Sequence, residues 1–206
     1  MSQTKIKLCG MSRPEDIAAV NELMPDYIGF VLFFPKSSRN ITPEKASELR
    51  ALLHPSIQAV GVFVDAPVEA VARLLQQGVI DMAQLHGHED NAYIETLRAM
   101  TGKPILKAFK LRTPQDAADA ESSAADYVLL DNGTGTGQKF DWSLITGIRR
   151  PFFLAGGLDP DNVAQAVAEI SPYAVDVSSG IETNKIKDAA KMRAFVHNVR
   201  AANERS

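Results

Sequence analysis

Residues 57–85 read IQAVGVFVDAPVEAVARLLQQGVIDMAQL, and this stretch decides the fold class. Ile57–Val64 is a continuous, mostly apolar run, the pattern of a strand buried on both faces. Asp65 and Pro67 end it, a helix follows to Gln77, and Val79–Leu85 is a second strand. Strand, helix, strand in that order implies a right-handed crossover and a parallel sheet.

The same alternation runs outward in both directions. Upstream, Lys5–Cys9 is a strand ending at Gly10, and Pro14–Met24 is a helix with Ser12 as its expected cap. Tyr27–Phe34 is the next strand, and after the polar loop Pro35–Ile41 a helix opens at Thr42-Pro43 and runs through Leu53. Downstream come a helix over Asn91–Met100, a strand over Pro104–Lys110 and a helix over Pro114–Ser123. Tyr127–Leu130 is a strand followed by a brief helix from Asp141. Pro151–Ala155 leads through Asp159-Pro160 into a helix ending at Ile170, and Tyr173–Val177 precedes a last helix from Asp188 towards Ala201. Eight strand–helix units without a domain-sized break in composition predict one (β/α)₈ barrel of the TIM type over residues 1–206, near that fold's lower size limit.

Composition narrows the function. A net charge of -3 with no clustered basic run argues against a nucleic-acid or anionic-membrane partner. The longest apolar run, Tyr27–Pro35, is too short to span a bilayer. Cys9 is the lone cysteine, so no internal disulfide can form. MSQTKIKLCG lacks the apolar core of an export signal, and the expected compartment is the cytoplasm.

In a barrel of this kind the chemistry lies at the carboxyl ends of the strands. The residues there are Cys9, the Lys36–Arg39 loop, Asp65, His86, Lys110, Asp131, Gly156-Gly157 and Ser178-Ser179-Gly180. Asp131 stands below a loop with Gly133, Gly135 and Gly137, whose far end Phe140, Asp141 and Trp142 can anchor: an acid or base under a lid, or a solvated acid beside a flexible loop. Gly156-Gly157 and Ser178-Ser179-Gly180 follow the last two strands directly. Turns without side chains there expose backbone N–H groups, and a short helix after the eighth strand could aim its positive end at a phosphate.

Strand alternation puts Lys5, Lys7 and Cys9 on one face, and Asp176 and Ser178 on one face of the neighbouring strand. A barrel interior does not tolerate an unpaired lysine, which predicts a buried Lys7–Asp176 pair. The cation could help Cys9 form its thiolate, although a free cysteine is most often an inert core residue. Arg39 can hold a carboxylate with two parallel hydrogen bonds or can simply be solvated. His86 and His88 lack the rest of a metal-ligand set, so no metal is expected.

KLCGM, GFVLFFPKSSRNI, VGVFVD, QLHG, KAFK, LLDNGTGTGQKFDW, FLAGGL, VDVSSGIE and IKDAAKMRAFV occur in this order and cover nearly the whole chain. With them the sequence closely resembles the phosphoribosylanthranilate isomerases of tryptophan biosynthesis, in their monofunctional form. The resemblance implies a cofactor-independent Amadori rearrangement of phosphoribosylanthranilate, by a monomer or weak homodimer. It also implies Cys9 as general base, Asp131 as general acid and Arg39 as the grip on the anthranilate carboxylate. Phosphate would be bound by Gly156, Gly157, Ser178, Ser179 and Gly180. Two departures stand out. The glycine loop reads GTGTG where paired glycines are frequent, and Thr183-Asn184-Lys185 replaces a common Pro-Gly, a change expected to concern only the entry to the last helix. The alternatives are another sugar-phosphate isomerase or epimerase barrel, which would favour paired aspartates or metal ligands, and a non-catalytic sugar-phosphate-binding module.

Overall fold

The computed structural model of the chain describes residues 3–131, 145 and 147–205. Eight strands form the barrel: β1 (Lys5–Cys9), β2 (Tyr27–Leu32), β3 (Gln58–Phe63), β4 (Met82–Leu85), β5 (Ile105–Lys110), β6 (Tyr127–Asp131), β7 (Phe152–Leu154) and β8 (Ala174–Val177). Each pairs in parallel with its neighbours in chain order, and β1 pairs with both β8 and β2, which closes the sheet. The helices are α1 (Pro14–Leu23), α2 (Pro43–Leu52), α3 (Val68–Gln76), α4 (Asn91–Thr101), α5 (Pro114–Glu121), α6 (Val163–Ile170) and α7 (Ala189–Asn203). Among the described residues no helix is long and apolar enough to cross a membrane. The glycine loop, Phe140, Trp142 and the helix expected from Asp141 lie outside the described residues.

Several boundaries move for local reasons. Strand β2 stops at Leu32 because Phe33 takes a left-handed backbone (φ 55°) and stacks on Phe63. Strand β4 begins only at Met82, since the Val79 and Ile80 N–H groups both donate back to the Leu74 carbonyl at the end of α3. Helix α6 starts at Val163 because Asp159 folds the preceding turn, accepting from the Asp161 and Asn162 N–H groups. Ser12 does not cap α1. Arg13 holds that position, and the Asp16 carboxylate satisfies the N–H groups of Ser12 and Arg13.

Strand alternation divides the apolar residues into two cores. Leu8, Ile28, Phe63, Leu85 and Val175 face outward and pack beneath the helices. Tyr27, Val60, Met82, Leu106, Leu129 and Phe153 fill the barrel interior. Rings of Tyr27, Tyr127, Phe153 and Tyr173 meet at 5.0–5.8 Å between centroids at the amino end. Lys5 Nζ donates to the Tyr173 hydroxyl at 3.0 Å and so ties that plug to β1.

Above the apolar layer the interior turns polar. Lys7 and Asp176 are register partners across the β1–β8 seam, and Lys7 Nζ donates to Asp176 Oδ1 at 2.9 Å. The lysine side chain is 0% exposed and the aspartate 9%, so the ion pair expected from alternation is present and almost wholly desolvated. Burial pulls the Lys7 ammonium down, but the Asp176 charge and the Cys9 sulfur outweigh it, and the net direction is up.

A buried pair is far more sensitive to losing one member than to losing both. Lys7→Met should lower the unfolding free energy by about 3–5 kcal/mol, because Asp176 is left charged and unpaired. Lys7→Met/Asp176→Leu should recover most of that loss, read from urea midpoints at unchanged slope. A single variant as stable as the parent would contradict the role given to the pair.

Candidate active site

The carboxyl ends of the strands surround a cavity of about 370 Å³. Cys9 closes β1, Asp131 closes β6, His86 follows β4, and Gly156-Gly157 follow β7, all on its wall with Arg39 and Ser178. Not every strand-end residue joins them. Asp65 turns away in a left-handed conformation (φ 52°) to accept from the His88 backbone N–H, with its other oxygen 3.0 Å from the His88 ring. Lys36 and Lys110 are exposed and do not line the cavity. His86 and His88 therefore serve different neighbours.

Cys9 is buried, with its sulfur against β2, where a Cβ on Gly29 would stand 2.5 Å from Sγ. Its charge state departs from the expectation of a lysine-assisted thiolate. Burial pushes the Cys9 thiol up, Lys7 and Lys187 pull it down, Asp176 adds to the rise, and the net direction is up. Lys7 does act in the expected sense, but desolvation is larger.

Arg39 lies beside Cys9 and grips a carboxylate with two parallel hydrogen bonds; that carboxylate belongs to Glu182. Arg39 Nε and Nη2 each donate to it at 2.6 Å, and Lys187 Nζ donates to the same group at 2.7 Å. Burial pushes the Glu182 carboxyl up, but these two cations outweigh it and hold it below the usual carboxylate range. Burial likewise pulls the Lys187 ammonium below its ordinary value. Among the described residues two of the five guanidinium N–H groups are used, which leaves three for a ligand.

Glu182 and Lys187 come from a hairpin that the sequence reading took for the mere entry to α7. Glu182–Thr183 and Ile186–Lys187 pair antiparallel around Asn184 and Lys185, both left-handed (φ 52° and 64°). That is a two-residue turn of the primed type, and it brings Lys187 back to the Ser178 carbonyl at 2.8 Å. The correction is physical: this segment is part of the site. Gly10 (φ 84°) sits where these groups converge, since a Cβ there would meet Arg39 Cδ at 2.6 Å and Lys187 Nζ at 3.3 Å.

The two expected phosphate turns face the cavity together. Gly156 and Gly157 are left-handed (φ 87° and 71°), and Ser178 and Ser179 stand opposite them on the lining. Gly180 is not on that lining. A Cβ there would lie 2.0 Å from the Leu158 carbonyl oxygen, so close packing of the two turns explains the glycine. The element after β8 is a single 3₁₀ turn, Ser179–Ile181.

A further buried ion pair shapes the far wall. Lys107, on the outer face of β5, donates to the Gly87 carbonyl (2.7 Å) and to Glu89 (3.1 Å). Glu89 also accepts from the N–H groups of Asp65 and Gly87, which ties the ends of β3, β4 and β5 together around His86. Neither residue lies at a strand's carboxyl end with an inward side chain, so strand-end reasoning passes over both. An acid four residues beyond a strand, with a lysine mid-strand in the next unit, is the only trace in the sequence.

The pattern of the N-(5′-phosphoribosyl)anthranilate (PRA) isomerase family matches residues 6–198. The N-(5′-phosphoribosyl)anthranilate isomerase of Endomicrobium trichonymphae is 44% identical over 193 residues, covering 91% of this chain and 94% of that one. Among solved structures, phosphoribosyl anthranilate isomerase from Thermotoga maritima superposes with a TM-score of 0.87 at 33% identity, over 97% of this chain and 100% of that one. Another phosphoribosyl anthranilate isomerase, in complex with reduced 1-(o-carboxyphenylamino)-1-deoxyribulose 5-phosphate, gives 0.85 at 33% identity over 97% and 100% of the two chains.

The raised thiol yields a pH dependence with a definite sign. A thiol above the ordinary value of about 8.5 holds less thiolate at neutral pH than a free cysteine does. Alkylation of Cys9 by iodoacetamide, followed by mass spectrometry, should therefore be slow at pH 7 and keep accelerating beyond the pH at which a model thiol has levelled off. Alkylation at pH 7 faster than the model thiol would mean that the lysines outweigh burial.

Proposed function

The chain belongs to the N-(5′-phosphoribosyl)anthranilate isomerase family, and on that premise we propose that it converts N-(5′-phosphoribosyl)anthranilate to 1-(2-carboxyphenylamino)-1-deoxyribulose 5-phosphate, a step of tryptophan biosynthesis, with Asp131 as general acid and Cys9 as general base. One observation carries the reading: Cys9 and Asp131 close different strands yet share one cavity wall with glycine turns and an arginine. Glycine turns suit a phosphate and a guanidinium suits a carboxylate, and the substrate has one of each at its two ends.

The chemistry follows from the order of the groups. Asp131 gives its proton to the furanose ring oxygen, the C1′–O bond breaks, and the nitrogen lone pair forms an iminium at C1′. Cys9, as thiolate, takes the C2′ proton, and that electron pair becomes the C1′–C2′ double bond of an enolamine. Protonation at C1′ and loss of the hydroxyl proton at C2′ give the ketone, so C1′ is reduced and C2′ oxidised within one molecule. The iminium nitrogen receives the electrons, so the rearrangement requires no separate cofactor. Because burial disfavours the thiolate, the iminium cation next to Cys9 and the Lys7 and Lys187 ammonium groups are what favour it during turnover.

Arg39 contributes through the N–H groups that Glu182 does not use. Its fork is pre-oriented by that carboxylate, which lowers the cost of fixing it on a ligand. Phosphate against Gly157 and Ser179 and carboxylate against Arg39 would hold the C1′–C2′ bond between acid and base.

General acid and general base each contribute about 10²–10⁴ in rate. Cys9→Ala and Asp131→Asn should each lower kcat by at least about 10²-fold with an unchanged circular dichroism spectrum. Cys9→Ala with nearly parental kcat would overturn the assignment of the base. A silent Asp131→Asn would overturn that of the acid.

A further inference from the structure

We infer that His86 is a positioning residue for the acid: a neutral imidazole, locked by Gln84 with its proton on Nε2, that turns this N–H towards the Asp131 carboxyl group. The inference rests on the reading of Asp131 as the acid. It begins with alternation on β4, where Met82, Gln84 and His86 share the inward face, so the ring enters the cavity one position above the Gln84 amide.

Gln84 Nε2 stands 2.9 Å from His86 Nδ1. An amide NH₂ can only donate, so Nδ1 presents its lone pair and the ring proton sits on Nε2. That nitrogen is the one turned to Asp131, 3.9 Å from Oδ2. Gln84 is itself 1% exposed, and among the described residues its Oε1 is a buried oxygen without a hydrogen-bond partner. An orphaned buried acceptor is destabilising, and a methionine or leucine of similar size would avoid it. A glutamine kept there at that cost has its use on the side of the NH₂ group, which faces the ring.

The backbone on both sides of the ring is held as well. The His86 N–H donates to the Phe63 carbonyl at 2.8 Å, and Gly87 is fixed at its N–H by Glu89 and at its carbonyl by Lys107. These bonds fix the backbone that carries the ring.

The charges around His86 come from four strands: Asp131 on β6, Asp176 on β8, Lys7 on β1 and Lys107 on β5. Burial pulls the imidazole below the ordinary histidine value, the two lysines act in the same sense and the two carboxylates oppose them, with a net lowering. An imidazolium would also set Nδ1–H against the Gln84 NH₂, donor facing donor. Neutrality matters for the acid. A cation beside Asp131 would stabilise its carboxylate and withdraw the proton that ring opening requires. A neutral N–H turned towards Asp131 from 3.9 Å, beyond hydrogen-bond reach, favours the carboxylate far less than a cation there would. His86 gives up no proton: the one that reaches the substrate comes from Asp131.

Nitrogen NMR of the full-length protein labelled with [15N]histidine tests this, with His86 assigned among the four histidines by its loss in His86→Asn. His86 should show protonated Nε2 and bare Nδ1, and take up its second proton only at a lower pH than an ordinary histidine near 6.5. Gln84→Glu supplies an acceptor for Nδ1–H and favours the imidazolium. It should move the His86 titration upward and lower kcat by about tenfold or more, part of the 10²–10⁴ that an acid contributes, with KM changed less than about threefold. The alkaline limb of its kcat profile should shift to lower pH, which a merely structural defect would not cause. A parental His86 protonated on Nδ1, or titrating as an ordinary histidine, overturns the inference. So does a Gln84→Glu enzyme with parental kcat and limb while Asp131→Asn is inactive, a result that spares the acid assignment. A fully active Asp131→Asn sinks the acid assignment first and this inference with it.

Discussion

A lysine with no exposed surface lies at the floor of the cavity, and its 2.9 Å bond to Asp176 is the interaction on which the site depends. The pair spans the seam where the last strand meets the first, so the closure of the barrel and the polarity of its upper half are set at one place. Below it the interior is aromatic and aliphatic; above it stand Cys9, His86, Asp131 and Ser178. Desolvating two charges is expensive, and an apolar layer in their place would often be as stable. Their presence makes sense as electrostatics under the cavity: the cation draws Cys9 towards the thiolate while Asp176 draws it back.

The same economy of paired charges recurs around the rim. Arg39 is aimed by Glu182, Glu182 is shared with Lys187, and Lys187 reaches the Ser178 carbonyl, so the loop after β2 and the hairpin after β8 form one unit. On the opposite wall Lys107 and Glu89 do the equivalent for the ends of β3, β4 and β5. Loops usually carry the function of a barrel and are its most mobile parts. Here the groups on the cavity wall are backed by buried ion pairs, which is how a small barrel holds side chains from different strands at a fixed separation.

Much of this was readable from period and position alone. Alternation on β1 and β8 placed Lys7 opposite Asp176, and the strand-end rule picked out Cys9, His86 and Asp131 as cavity residues. What escaped the reading depended on partners distant in sequence or on quantities that a pattern does not carry. The Glu182–Lys187 hairpin was hidden because its turn uses Asn184 and Lys185 in a conformation that usually advertises itself with glycine. Lys107 and Glu89 lie in successive units and meet because Lys107 pairs in register with Leu85, four residues before Glu89. The direction of the Cys9 thiol is a contest between burial and two lysines, and the sequence names the contestants without their distances. Gly180 also packs against Leu158, a demand for glycine that no sequence pattern displays.

The central claim is that this cavity turns an N-glycoside of anthranilate into an aminoketose. Incubating the purified protein with N-(5′-phosphoribosyl)anthranilate and following the proton NMR spectrum tests it directly. The account predicts that the anomeric C1′ proton signal disappears while a C1′ methylene grows in, at a rate proportional to protein concentration and without added metal or cofactor. A substrate whose anomeric signal decays no faster than in buffer would contradict it.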